Sequence, residues 1–190
     1  MKRSDEQLLT DLSRGDKKAF RELYQIYSPA IYRLVKRMLS HRPNDVDEVF
    51  QEAMLRIWKN APLFDPAKGR AKGWIFIVAT RHCLNWLESK KARTQHAESE
   101  LNENLADSGQ PDPEEATCNG IEARRAIDLL DRLPDDMKTV LTLRHLENLS
   151  IDEIAEITQT PAGTVKSRIF YGLKKLRSFF FKENSHEQET

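Results

Sequence analysis

Residues 150–177, SIDEIAEITQTPAGTVKSRIFYGLKKLR, read as two helices joined by a short turn. Ser150 with Glu153 three residues on forms a capping box, the signature of a helix start. Ile151, Ile154, Ala155 and Ile157 then recur on one face. Thr160-Pro161 restarts the chain, a capping hydroxyl followed by Pro at the first helical position, where its missing N–H costs nothing. The second helix carries Val165, Ile169, Leu173 and Leu176 inward at helical spacing. Its other face shows Lys166, Ser167, Arg168, Tyr171, Lys174 and Lys175, with no acid before Glu183. Two helices, a tight turn and a basic, hydroxyl-bearing second helix are the helix-turn-helix layout, in which the second helix enters the DNA major groove. The plainer reading is a helical hairpin with a solvated basic face.

Composition bounds what surrounds this hairpin. The chain has 190 residues, 32% charged and 39% apolar, enough for one ordinary domain or two small ones. Its 30 basic and 30 acidic residues cancel overall but are segregated. Lys68 to Arg93 holds seven basic residues against the single acid Glu88, whereas Glu98 to Glu115 holds seven acids and no Lys or Arg. Local fields decide nucleic-acid binding, so the neutral total does not argue against it. Cys83 and Cys118 stand alone and off metal spacing, which fits a reducing cytoplasm and excludes a disulfide scaffold. The N-terminus lacks the apolar core of a signal peptide, and the longest apolar run, Trp74 to Ala79, is far short of the ~20 residues that span a bilayer. No phosphate-cradling loop, metal cluster or nucleophile motif is present, and the five histidines never pair at ligand spacing, so neither a cofactor nor an enzymatic activity is expected.

Taken in order, the chain is helical throughout. Ser4 with Gln7 caps a first short helix. Phe20, Leu23, Tyr24, Tyr27, Ile31, Leu34, Val35 and Met38 form the stripe of a longer one, which Ser28-Pro29 is placed to kink or restart. Asn44 or Asp45 caps a third helix, DVDEVFQEAMLRIWKN, whose acidic first turn suits the helix dipole. A loop at Pro62 to Gly69 precedes a helix from Arg70 to Ala92 with Trp74, Ile75, Val78, Ala79 and Leu87 inward. Residues 94–112 are polar and acidic without apolar period, a flexible linker. Asp112-Pro113-Glu114-Glu115 opens a helix that reaches Leu133, and Pro134 opens the next, with the stripe Met137, Val140, Leu141 and Leu146. Residues 183–190 form a disordered tail. The expectation is an all-α chain: a helical domain over 1–93, the linker 94–112, and a helix-turn-helix domain over 113–182.

Three stretches in this order give the chain its resemblance. DVDEVFQEAMLRIWK, with Gln51, Glu52 and Trp58, GWIFIVATRHCLNWL, and SIDEIAEITQTPAGTVKSRIFYGLKKLR, with its run Gly163 to Arg168, resemble regions 2 and 4 of the sigma factors of bacterial RNA polymerase, in the small two-domain extracytoplasmic-function (ECF) group. The resemblance covers nearly the whole chain. It implies that the third helix docks on the β′ clamp of core RNA polymerase through Asp47, Glu48, Gln51, Glu52, Leu55 and Trp58. The plainer reading is that Phe50, Met54, Ile57 and Trp58 are core; some of them are expected there, with Asp47, Gln51, Glu52 and Leu55 facing outward. The resemblance implies a minus-35 reader made of Thr164, Lys166, Ser167, Arg168, Phe170, Tyr171 and Lys174, in a domain that also meets the β flap. The minus-10 element and its melting fall to Lys72, Arg81, His82, Asn85 and Trp86, where Arg81 departs from the pattern by standing where the family commonly has Asn. Single-strand capture needs cationic and π surfaces, which these residues supply.

The implied function is a promoter-specificity subunit, in the cytoplasm and without stable membrane insertion, partnered by core polymerase, promoter DNA and an anti-sigma factor. The acidic linker would thread the polymerase channels, mimicking nucleic acid. The alternative is a free-standing helix-turn-helix regulator, which has no need of the basic segment Lys68–Arg93 or of such a linker.

Overall fold

The computed structural model describes residues 3–98 and 126–187, with side chains over 3–91 and 126–181. Every regular element among them is helical, and the chain divides into two compact units, one built on the first four helices and one on the later ones.

In the first unit, Ser4 opens α1 (Asp5–Ser13) with the capping box expected of it: the Gln7 amide donates to the Ser4 hydroxyl at 3.2 Å and the Ser4 amide to the Gln7 side chain at 2.9 Å. Gly15, at φ +89°, turns the chain into α2 (Lys17–Met38), capped by Asp16, which accepts the Lys18 N–H at 2.8 Å. Ser28-Pro29 neither breaks nor restarts α2. Pro29 lies inside the continuous helix on its exposed side, and Gln25, whose carbonyl loses its helical partner, is exposed to water. A 3₁₀ turn, Pro43–Asp45, leads into α3 (Val46–Asn60). Asp45 stands at the N-cap but makes no side-chain cap bond, because this turn already carries the chain in with backbone bonds. A second 3₁₀ turn, Ala61–Leu63, precedes α4 (Ala71–Glu98).

α4 outruns the end expected at Ala92, so residues 94–98, assigned to the linker, continue the helix. They contain no Gly or Pro to stop it. The rest of the proposed linker, 99–112, and the helix start at 113–125 lie outside the described residues.

Leu8 and Leu12 of α1, Leu23, Ile31 and Leu34 of α2, Val49 and Ile57 of α3, and Ile75, Phe76, Ala79 and Cys83 of α4 build the core. Of the expected inward positions of α4, Trp74, Val78 and Leu87 are only half-buried, and Phe76 and Cys83 take their place. Burial pushes the Cys83 thiol up to about 12, so it behaves as a small hydrophobe. Arg3 fastens the start of the chain, its guanidinium reaching Asp11 at 2.9 Å, Asp16 at 2.8 Å and Glu22 at 2.6 Å. The Tyr27 hydroxyl bonds Asp5, and Glu6 accepts the Ala71 amide at 3.4 Å, tying α1 to α2 and to the start of α4.

The second unit holds α5 (126–131), α6 (Asp135–Leu141), a π-helical turn Thr142–Leu146 running straight on from α6, α7 (Ile151–Thr158) and α8 (Ala162–Glu187). Leu129, Leu133, Val140, Leu141, Leu143, Leu149, Ile154 and Val165 are buried. The π turn overturns one expectation. Its wider winding breaks the 3.6-residue period, turning Leu143 inward and leaving Leu146 exposed. The Lys138 side chain is almost fully buried, with Asp131 at 3.6 Å and Asp135 at 3.8 Å. The Ser150–Glu153 capping box forms as expected, and Gln159, at φ 52°, makes the left-handed turn between α7 and α8. α8 continues to Glu187 rather than fraying after Lys182, since neither Gly nor Pro follows Gly172; residues 188–190 lie outside the described residues. Among the described residues no helix is long and apolar enough to cross a membrane.

Candidate nucleic-acid and protein interfaces

α8 sorts its residues cleanly. At about 100° per residue, Val165, Ile169, Gly172, Leu176 and Phe179 lie on one side, and Lys166, Phe170, Lys174, Ser167, Tyr171, Thr164 and Arg168 sweep round the other. Val165 and Gly172 are buried, Ile169 and Leu176 half-buried. Leu173, expected inward, is 44% exposed, because Gly172 occupies the inward position. A Cβ on Gly172 would stand 2.8 Å from Leu141 Cδ1, so this glycine is the point at which α6 and α8 meet.

Five of the seven residues expected to read DNA, Lys166, Ser167, Phe170, Tyr171 and Lys174, share the outward face, and Thr164 and Arg168 lie at its edge. Lys166, Ser167 and Lys174 are exposed and Thr164 is half-buried. Phe170, as easily a core residue by spacing, is 64% exposed and packs edge-on against the 54% exposed Tyr171, their ring centroids 5.3 Å apart. The Ser167 hydroxyl donates to the Thr164 carbonyl at 2.9 Å, which leaves its oxygen lone pairs outward. Arg168 is half-buried, its Nε 3.0 Å from Asp136 Oδ2. Cations, hydroxyls and an aromatic pair on a helix face suit phosphate contacts and base-edge readout.

α3 is sorted as sharply. Asp47, Trp58, Gln51, Leu55, Glu48 and Glu52 fall within an arc of about 140°. Val46, Val49, Phe50, Ala53, Met54 and Ile57 are buried on the remaining side, so of the four core candidates Phe50, Met54 and Ile57 turn inward and Trp58 does not. Gln51 is exposed and Leu55 is 43% exposed. Tyr32 donates to Asp47 at 3.0 Å, and Glu52 pairs with Arg56 at 3.2 Å. Trp58 lies half-buried on Phe20 of α2, ring centroids 4.6 Å apart, and Phe20 also meets Tyr24 at 6.1 Å. Sequence reasoning placed Phe20 in the core stripe; as the support beneath Trp58 it belongs to this surface. Acids beside an apolar and aromatic patch fit a partner that is partly apolar and basic.

The residues expected at the minus-10 element do not all come together. Arg81 and Asn85, one turn apart, share a side of α4, and Asn85 is exposed. Lys72 lies on the opposite side, its ammonium 5.7 Å from the Phe76 ring centroid. Trp86 is half-buried with Lys90 4.9 Å above its ring. His82 corrects its assignment: it is 8% exposed and faces inward toward α3. Burial first, and then the Arg56 charge, hold its imidazole below the ordinary value, with Glu52 opposing. His82 is a core residue because it falls on the same arc as Ile75 and Ala79.

Comparison with known proteins completes the picture. The family model for sigma-70 region 2 matches residues 23–93, and that for sigma-70 region 4 matches residues 123–176. The ECF RNA polymerase sigma-E factor of Haemophilus influenzae is 33% identical over 175 residues, covering 88% of this chain and 90% of its own. The ECF RNA polymerase sigma factor SigW of Bacillus subtilis is 31% identical over 179 residues, covering 89% and 92%. Among solved structures, the sigma factor RpoE of Bartonella quintana, in complex with the anti-sigma factor NepR, shares the fold at TM-score 0.68 and 17% identity, covering 86% of this chain and 97% of its own. CnrH, in complex with the cytosolic domain of CnrY, does so at TM-score 0.65 and 19% identity, covering 94% and 97%. Matches to both sigma regions, together with relatives that span most of the chain, set aside the free-standing regulator: this protein belongs to the ECF group of the sigma-70 family, the RNA polymerase sigma factors that direct transcription initiation at promoters.

Proposed function

We propose that the outward arc of α3 (Asp47, Glu48, Gln51, Glu52, Leu55 and Trp58) is the surface that docks on the β′ clamp. The outward face of α8 reads the minus-35 element, and Arg81 and Asn85 of α4 act at the minus-10 element. In this reading residues 1–93, with 94–98 prolonging α4, form the polymerase-binding and minus-10 domain, residues 113–182 the minus-35 domain, and residues 99–112 the tether. The protein performs no chemistry of its own; it works in the cytoplasm and is restrained by an anti-sigma partner, a reading supported by the solved neighbour RpoE, which is bound to the anti-sigma factor NepR.

The observation that carries the reading is the sorting of α8. Lys166, Ser167, Phe170, Tyr171 and Lys174 all lie away from Val165 and Gly172, with Thr164 and Arg168 half-buried at the margin, a helix built to lie on the rest of its domain with one side and to present the other to DNA. The direct test is transcription in vitro on fragmented host DNA, with purified core polymerase, with and without the protein. Discrete new transcripts sharing a spaced pair of upstream elements are expected. Transcripts that survive substitution of both Lys166 and Arg168 by Ala would remove α8 from promoter reading.

A further inference from the structure

Asp136, in the first turn of α6, is held on both of its carboxylate oxygens. Oδ1 accepts the Met137 backbone N–H at 2.9 Å, and Oδ2 forms an ion pair with the Arg168 guanidinium, 3.0 Å from its Nε. A carboxylate anchored to backbone on one side holds a defined position, and the Arg168 guanidinium is drawn to it. Gly172 reinforces this, since the close approach of α6 and α8 sets the distance across which Asp136 meets Arg168.

We propose that Asp136 is a positioning residue for promoter recognition: it orients Arg168 and so sets the base preference that Arg168 contributes. A guanidinium has five N–H donors in a planar fork. A pairing made on the Nε side leaves the four donors on the two terminal nitrogens, enough for two parallel bonds to the O6 and N7 acceptors of a guanine. Without the carboxylate, the long side chain regains its rotamers, must lose them again on each encounter, and can settle on a phosphate as readily as on a base. Asp136 thus converts a general cation into a reader of one orientation. The pairing is unlike the neighbouring cations Lys166 and Lys174, which are exposed point charges suited to phosphates.

This inference rests on the reading of α8 as the minus-35 helix, and the experiment separates the two. Full-length protein with core polymerase is challenged with promoters randomised over the minus-35 element, and bound sequences are counted for wild type, Arg168→Ala, Asp136→Ala and Asp136→Asn. Arg168→Ala is expected to flatten the preference at one or two base pairs, by about tenfold or more at a guanine read by two bonds. Asp136→Ala is expected to flatten the same positions, while total binding holds or rises because a negative charge near DNA is gone. Asp136→Asn keeps the side-chain shape but cannot accept from both donors, and should fall with Ala; it also guards against loss of fold, checked by thermal melting of each variant. If Arg168→Ala flattens the preference and both Asp136 variants keep it, Asp136 does not position Arg168, although α8 still reads DNA. If the Asp136 variants bind all sequences more tightly with an unaltered pattern, Asp136 is only a competitor for Arg168 and the proposal fails. If Arg168→Ala changes nothing, the minus-35 role of Arg168 falls, and the proposal with it.

Discussion

Gly172 of α8 lies so close to Leu141 of α6 that a Cβ at that position would stand 2.8 Å from Leu141 Cδ1 and 3.4 Å from its Cγ. Leu141 is 2% exposed and has little room to swing away. Gly172→Ala is therefore expected to destabilise the second unit by about 1–3 kcal/mol, the usual cost of forcing atoms into a packed contact, despite the better helix propensity of Ala. Urea unfolding would measure it. Leu141→Ala makes space as well as a cavity, so the double variant should lose clearly less than the sum of the singles. Strict additivity would show that the contact is not what constrains position 172.

His82 gives the first unit a pH dependence of a definite sign. Its imidazole is held below the ordinary value by burial, then by Arg56, so the folded state favours the neutral ring. Its contribution is complete above the unfolded value of about 6.5 and declines as pH falls below it. Nε2 is buried and finds no hydrogen-bond partner among the described residues, so a protonated ring would carry an uncompensated donor there. Stability is expected to drop between pH 7 and pH 5 in the wild type, and to drop less in His82→Gln. Matching pH profiles for the two proteins would show that the ring titrates freely.

The elements that could be read from the sequence are those whose cause is local. A capping box is written within four residues, and both boxes, at Ser4 and Ser150, form as expected. The two-sided nature of α3 follows from helical period alone, which is why Phe50, Met54 and Ile57 turn inward. What could not be read depends on a neighbour distant in the chain or on a change of winding. Gly172 carries no side chain to mark it as inward, so the apolar step from Ile169 ran to Leu173. The π turn at Thr142–Leu146 exchanges Leu143 for Leu146 with no residue to announce it. His82 was placed with the DNA contacts because its chemistry suits them, while its position on α4 put it in the core. The Asp136–Arg168 pair joins residues on different helices and has no trace in spacing.

Acid should loosen the start of the chain before it reaches the core. Arg3 is the first cause that holds the Asp16 carboxyl below the usual carboxylate range, and Glu6 is lowered by its own backbone amide first and, after burial acts against it, by the Ala71 amide. Both groups contribute stability above their unfolded values of about 4, and that contribution is lost as pH falls through the lower folded values. The protection of α1 amides, taken relative to the intrinsic exchange rate at each pH, is expected to fall toward pH 3 ahead of the protection in α3. Arg3→Ala should quicken α1 exchange already at neutral pH, because the three carboxylates Asp11, Asp16 and Glu22 then face one another without their shared cation.

The outward arc of α3 allows a substitution that separates docking from folding. Leu55 is 43% exposed, and at that arc Gln51 lies one turn before it. Leu55→Glu adds charge where no core contact is lost, so the melting temperature should change little. If the arc is the clamp-docking surface, the same change places an unpaired carboxylate in a desolvated contact and should weaken core polymerase binding by about 2 kcal/mol or more. Gln51→Ala with Glu52→Ala removes polar groups from the same arc and should weaken it too, also without unfolding. Trp58→Ala is a less discriminating probe, since it also removes a ring pair with Phe20 that contributes about 0.5–1.5 kcal/mol beyond burial. Fluorescence anisotropy of labelled protein against core polymerase distinguishes the cases. Unchanged affinity in both the Leu55 and the Gln51/Glu52 variants would move the docking surface off α3, because these three residues occupy the centre of its outward arc, between Asp47 and Glu48 at one end and Lys59 at the other.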